Sequence, residues 1–390
     1  MLNTFIVGGG RAGLGLHWPV LRKLRALPDE TGRWSPDPPV VWDVQDIHEQ
    51  ALAEGLVPAD SLAHAAKLAD PARTVVHLCT PPVDRFATLQ ELADLGYTRI
   101  VVEKPMAVGV AGLEAIDMLA RVRGLRLRVV SPWLASSLTH ELAELVRYGA
   151  VGELGDLRSL SFTQFKPRWT RTLRSNNHTT AFDVELPHSL GVALRLAGDA
   201  RIVDAALTDM RIGDTVIPKM GSARLTLQHH NGVTTEIASD LTSPIRERRI
   251  GLRFDTGHVV GHYPISDVDH HASLTVHDGA GGGAASPRIL FDDALTTYID
   301  HAYRDYEAGA DRAGGSGAGS GVGSGGWDDY AIARRVVQLL QEAHLMAAAR
   351  EARAGSDPGS GSGAADGSSG PRAPLTGVST SPQGGGADHE

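Results

Sequence analysis

At 390 residues, 42% hydrophobic and 21% charged, the chain is long enough for two domains with sizeable cores and has an ordinary globular composition. A formal net charge of −9 argues against nucleic acid or an anionic membrane as partner. The single cysteine, Cys79, excludes a disulfide framework and any Cys-rich zinc or iron–sulfur site.

Met1 leads straight into Phe5-Ile6-Val7, with no charged leader and no long apolar segment, and nothing approaches the roughly 20 apolar residues that span a bilayer. A cytoplasmic protein is expected. In chain order, strands are predicted at Thr4–Val7, Val40–Val44, Thr74–Cys79, Arg99–Val102 and Arg126–Val130. Amphipathic helices are predicted between them at Gly13–Ala26, Ile47–Glu54, Leu62–Ala69, Arg85–Leu95 and Val110–Arg123. Apolar strands alternating with such helices define right-handed crossovers and a parallel sheet. Cys79, in the run Val75-Val76-His77-Leu78-Cys79, reads as a small buried hydrophobe.

After about residue 155 the period becomes two: Leu157–Gln164, Ala223–His229, Thr234–Asp240, Arg248–Asp255 and Val259–Tyr263 alternate apolar with polar residues. That is the pattern of an antiparallel sheet covered on one face. Helices Ser136–Tyr148 and Phe182–Ala197 accompany it, and Phe291–Ala308 and Trp327–Arg350 close the folded part. The expected domains are 1–132, nucleotide-binding, and 133–350, substrate-binding, with helix 327–350 docking back on the first. Gly314–Gly326 reads as a Gly/Ser linker and 351–390 as a disordered tail.

Gly8-Gly9-Gly10-Arg11-Ala12-Gly13 follows a strand and opens a helix, the G-x-G-x-x-G arrangement that cradles a pyrophosphate. Arg11 and Ala12 sit inside that loop. The acid that holds the adenosine ribose is Asp43 or Asp46, at the end of the second strand; the alternative is a cap for the next helix. An acid there with no following arginine favours NAD, while Arg11 keeps NADP open. Thr80-Pro81-Pro82 and Glu103-Lys104-Pro105 follow two further strands, and such carboxyl ends line the ligand crevice of an open parallel sheet.

The 37 basic residues include only five lysines, and Lys104 is held at a strand end before a proline. There it can exchange a proton with a substrate oxygen; the alternative is an ion pair with Glu103 or an exposed strand end. The glycine loop, the Thr80 turn, Glu103-Lys104-Pro105 and the run Glu141–Gly155, in this order, resemble the glucose–fructose oxidoreductase, inositol dehydrogenase and rhizopine-catabolism (Gfo/Idh/MocA) family.

The resemblance covers about residues 1–350. It implies an α/β chain: an N-terminal Rossmann doubly wound parallel sheet plus a C-terminal α+β domain with a large, mostly antiparallel open sheet. It further implies dimers or tetramers through that sheet and NAD(P)-linked oxidation or reduction of a sugar, cyclitol or related polyol. The family's substrate-domain histidine matches His188, acting beside Lys104. The acid expected four residues before it is replaced by Val184, with Asp183 and Glu185 on either side.

Trp133 is expected as an apolar wall. The basic stretch Lys166–Arg174, followed by Asn176, Asn177 and His178, borders the substrate in relatives. Lys166, Arg168 and Asn177 are therefore candidates to grip an anionic or heavily hydroxylated substrate, against a solvated loop as the alternative. His229-His230 and His270-His271 lack partners at a ligand spacing, so no metal is expected. Three rival functions remain: an NAD-dependent glycosidase, a non-catalytic nucleotide-binding regulator, and an imine or enol reductase.

Overall fold

The computed structural model describes residues 1–28, 32–152, 154–174, 178–266, 268–277, 286–309 and 328–355. The expected Gly/Ser linker and nearly all of the expected tail lie outside them, as do Trp327 and Asn177. The first half runs β1 (Asn3–Val7), α1 (Trp18–Ala26), β2 (Val40–Trp42), α2 (Glu49–Ala53), β3 (Val57–Pro58) and α3 (Leu62–Leu68). It continues through β4 (Thr74–Leu78), α4 (Arg85–Asp94), β5 (Arg99–Val102), α5 (Gly109–Arg123) and β6 (Arg126–Val129). All pairings are parallel, in the order β3-β2-β1-β4-β5-β6. Chain order reverses between β1 and β4, which opens a crevice at their carboxyl ends.

Burial on both faces explains the strands' nearly continuous apolar runs. One face packs Phe5, Val7, Val76, Leu78, Ile100 and Val102 against α3, α4 and α5. The other packs Ile6, Val41, Val75 and Val101 against Trp18, Leu21 and Leu24 of α1.

The second half runs α6 (Ser137–Gly152), β7 (Leu157–Phe165), α7 (Trp169–Arg174), α8 (Phe182–Ala197), β8 (Ala200–Leu207), β9 (Met210–Ile212) and β10 (Thr215–Ile217). Then come β11 (Ser222–His229), β12 (Thr234–Asp240), β13 (Glu247–Phe254), β14 (His258–His262), β15 (His271–His277) and β16 (Arg288–Phe291). Eight strands form one sheet in the order β16-β15-β14-β13-β7-β12-β11-β8. Among the described residues, only β7 and β12 run parallel in it. Inward residues such as Leu160, Phe162, Leu225, Ile237, Ile250 and Leu252 bury against α6 and α8, as the period-two pattern requires.

The last two helices, α9 (Ala294–Ala308) and α10 (Asp329–Gly355), differ from expectation. The α9 helix starts after Phe291, which belongs to β16; Asp293 caps it by accepting the Thr296 N–H at 3.3 Å. Its Tyr298, Ile299, Ala302, Tyr303 and Tyr306 complete the α1 face of the parallel sheet. The α10 helix packs into the cores of both sheets. Ala333 and Val337 join the parallel sheet's core, whereas Ile332, Val336, Leu339 and Leu340 join the core of the large sheet. Residues Met1–Arg350 form one compact unit; of a second, Glu351–Glu390, only the helical Glu351–Gly355 is described.

Candidate active site

A cavity of about 1440 Å³ opens at the carboxyl ends of β1, β4 and β5 and is closed by residues of α7, α8, β13 and α10. At its glycine-loop end, Gly8 has φ +107°, and a Cβ there would lie 3.0 Å from the Cys79 carbonyl carbon. A Cβ on Gly13 would lie 1.9 Å from the Gly8 carbonyl oxygen, so the helix can pack onto the turn only with glycine. Gly10 faces open space and lines the cavity with Arg11 and Ala12.

Asp43 lines the cavity, accepts the Gly9 N–H, and accepts the Gln45 N–H at 2.9 Å. Asp46 is exposed and does not line it, so of these two acids Asp43 is the one that faces the cavity. The buried Thr80 hydroxyl has no partner among the described residues. This cradle, with an orphaned hydroxyl beside it, has the shape and donors that a dinucleotide phosphate needs.

The strand-end loops are stapled by a residue outside the expected set. Arg85, only 1% exposed, donates to the backbone oxygens of Thr80, Glu103 and Pro105. Burial, opposed by Glu103 and Cys79, lowers its pKa to about 10. The Lys104–Pro105 peptide is cis. Cys79 is half-buried and lines the cavity, rather than being the buried hydrophobe expected.

Glu103 is not Lys104's ion-pair partner; it binds His17. The helix after the glycine loop begins with a π turn, Gly13–His17, which turns His17 inward. His17 Nε2 lies 2.9 Å from Glu103 Oε1, and His17 Nδ1 lies 2.8 Å from His77 Nδ1. His77 Nε2 is 3.0 Å from the Tyr303 hydroxyl, which is 2.8 Å from Thr4 Oγ1.

Burial disfavours the His17 cation, yet Cys79 and Glu103 outweigh it and raise its pKa to about 10. Burial and the His17 charge hold His77 neutral. A cationic His17 must donate from both nitrogens, so His77 accepts at Nδ1 and donates from Nε2 to Tyr303. Both ring nitrogens of His17 and of His77 then have a partner in this relay. No motif marks this chain, because His17, His77 and Tyr303 are far apart in sequence.

Lys104 crosses the cavity and donates to the Val184 carbonyl at 3.4 Å. Pro187 lies inside α8 and cannot donate to the Asp183 carbonyl, which loosens the first turns of this helix. His188, on the same helix, stacks on Trp133 (ring centroids 5.4 Å apart), which stacks on Tyr263 at 4.0 Å. The Tyr263 hydroxyl is anchored 2.8 Å from Thr139 Oγ1. Burial and the Lys104 charge lower the His188 pKa to about 3, against the pull of Glu185.

The two acids that flank Val184 serve other partners. Glu185 pairs with Lys166; burial raises its pKa, but Lys166, Arg248 and His188 prevail and bring it to about 2. Asp183 accepts the Thr180 N–H at 2.9 Å, organising the start of α8, and meets His344 Nε2 at 3.1 Å. Among the described residues, neither acid hydrogen-bonds His188. The stretch expected as a basic loop contains the short helix α7, and Arg168 lines the cavity beside Arg171 and His178. Burial, Lys104 and Arg168 lower the His178 pKa to about 4.

Among the described residues no group of three His, Cys, Asp or Glu side chains is placed to hold a metal, and no helix is long and apolar enough to cross a membrane. No protein-family model and no curated protein matches the chain. Solved structures do. KijD10, a 3-ketoreductase from Actinomadura kijaniata in complex with TDP-benzene and NADP, matches with TM-score 0.67 at 16% identity, covering 89% of this chain and 98% of that one. The UDP-N-acetylglucosamine 3-dehydrogenase GnnA from Acidithiobacillus ferrooxidans matches with TM-score 0.63 at 17% identity, covering 89% and 98%. An oxidoreductase from Desulfitobacterium hafniense, described as putative and NADPH-dependent, matches with TM-score 0.65 at 15% identity, covering 90% and 96%. The chain therefore has their fold: a Rossmann-like sheet joined to a larger, mostly antiparallel one.

Proposed function

We propose that this chain is an NAD(P)-dependent oxidoreductase of the Gfo/Idh/MocA type, acting between the hydroxyl and keto forms of a sugar, cyclitol or related polyol. One observation carries this reading. A single cavity holds the glycine cradle after β1 and Lys104 after β5, facing His188 and Trp133 from the other half of the chain. The solved structures of like fold described as sugar reductases and dehydrogenases support it.

The nicotinamide group, when bound, supplies or accepts the hydride. The glycine loop and Thr80 would hold its phosphates, and Asp43 its ribose. Lys104 exchanges a proton with the substrate oxygen, donating it when a ketone is reduced. His188, neutral at physiological pH and fixed by the aromatic stack, orients the substrate by hydrogen bonding; with a pKa of about 3 it is not the acid. Trp133 and Tyr263 exclude water from one wall. Asp183 and Glu185 act indirectly, by shaping α8 and by neutralising Lys166.

We take NAD as the preferred cofactor. Val44 and Gln45, neither of them basic, follow Asp43. Arg11, in the glycine loop, lines the same cavity and is the residue that keeps NADP open. The reading also carries assembly of copies through the uncovered face of the large sheet, where Arg224 and Glu236 are exposed; sedimentation velocity tests it.

The function is tested by screening sugars, cyclitols and their phosphate- and nucleotide-linked derivatives, with NAD and with NADP, at the reduced-nicotinamide absorbance band. The expected result is substrate-dependent turnover, with higher kcat/KM for NAD. Dinucleotide binding without turnover of any candidate would favour a regulator instead.

A further inference from the structure

Three arginines line one cavity. Arg11 comes from the glycine loop, Arg168 lies just before α7, and Arg171 lies within it. Arg168 and Arg171 each have Arg11 as a like charge and Glu185 as a countercharge, in a protein whose net charge is −9. Holding such charges together costs free energy unless an anion lies among them.

Arg168 sharpens the point. It is only 5% exposed, yet its Nε has no partner among the described residues. A buried guanidinium N–H left unmade is costly, and a phosphoryl oxygen is the acceptor that its fork fits best. The nearby carboxylates are committed: Glu185 to Lys166, and Asp183 to His344 and Thr180. Lys166 is thereby neutralised, which moves the anion-binding role from Lys166 to the arginines. The cavity, at about 1440 Å³, also exceeds the roughly 300–1,000 Å³ that suits a single small ligand, leaving room for a large second molecule beside a dinucleotide.

We propose that Arg168 and Arg171, facing Arg11, form a binding site for a phosphoryl group of the substrate, either a phosphate monoester or a diphosphate linkage. Calling this ligand the substrate rests on the oxidoreductase reading; the site itself does not. Arg168 supplies the buried, oriented donor, and Arg171 at the rim adds charge and steers the anion inward.

The test is calorimetric titration of the full-length protein, saturated with NADH, with inorganic phosphate, pyrophosphate and uridine diphosphate. Pyrophosphate should bind, more weakly as salt is raised. Arg171→Gln, a change at an exposed position, should weaken it about tenfold while NADH affinity stays within about twofold. Arg168→Gln should weaken it further, and Arg171→Gln carries the test if the buried variant fails to fold.

Uridine diphosphate binding more tightly than pyrophosphate supports the site and assigns it to a diphosphate linkage. Inorganic phosphate matching both supports it and assigns a monoester. The proposal is overturned if pyrophosphate does not bind the NADH-saturated protein, or binds Arg171→Gln equally well. It is also overturned if that variant loses NADH affinity instead, since the arginines would then serve the dinucleotide. Because the readout is binding, a failure of hydride transfer would leave this result separately interpretable.

Discussion

The nucleotide end of the cavity and its substrate end are built by different means. At the first, the main chain does the shaping: Gly8 turns, Gly13 admits the helix, and hydrogen bonds such as Gly8 N–H to Trp42 O at 2.8 Å and Glu103 N–H to Leu78 O at 2.9 Å carry the ladder into the loops. At the second, side chains from α7, α8, β13 and α10 balance one another's charge. The first depends on Gly8 and Gly13, where a Cβ would meet neighbouring backbone. The second rests on pairings that no single element specifies.

That contrast can be broken by substitution, and the largest effect is expected at Lys104. Lys104→Met should lower kcat by about 10²–10⁴, the range for losing a positioned acid or base, with dinucleotide affinity almost unchanged. If affinity falls and kcat does not, Lys104 belongs to the nucleotide end and the division fails. Next, Glu185→Gln should destabilise the protein by about 3 kcal/mol in chemical denaturation, because it strands Lys166 in a largely buried position. A neutral outcome would mean that the substrate end is not held by its ion pairs.

Asp43→Ala is expected to weaken NAD binding about tenfold, with a smaller loss for NADP, the size of one charge-assisted contact. Equal losses for both would remove the argument for NAD. Asp46→Ala, the smallest, should change neither.

The two ends should also separate by pH. His178 and His188 are held neutral, with pKa values of about 4 and about 3 against an ordinary 6.5. From pH 6.5 down toward those values the unfolded chain binds protons that the folded chain refuses, so stability must fall. His188→Gln should make that fall shallower. His17 has the opposite sign: raised to about 10, its contribution is full below pH 6.5 and is lost as pH rises through 10. His17→Gln should flatten the alkaline side of the melting-temperature profile.

The same division explains what could be read from sequence. The Rossmann half was legible because its strands are apolar on both faces and its glycines sit at spacings fixed by backbone geometry. Lys104 was legible because a strand end and a proline mark it. His17, His77 and Arg85 carried no signal, since their partners are distant in sequence and their positions depend on a π turn and on strand-end loops.

The acid beside His188 stayed open in the sequence for a related reason. Spacing put Glu185 on the histidine's side of α8, but a lysine from the edge of β7, Lys166, claims it. Strands β8, β15 and β16 were missed because polar residues and a bulge, as between Thr226 and Leu227 opposite β8, blur the alternation.

The central claim is direct hydride exchange within this cavity, and isotope transfer tests it most directly. A keto-sugar or its phosphorylated or nucleotide-linked form, incubated with reduced dinucleotide deuterated at both nicotinamide C4 positions, should yield an alcohol carrying deuterium on the new carbinol carbon, in step with loss of reduced-nicotinamide absorbance. Product without deuterium, or a hydrolysed glycoside with the dinucleotide unchanged, would contradict it.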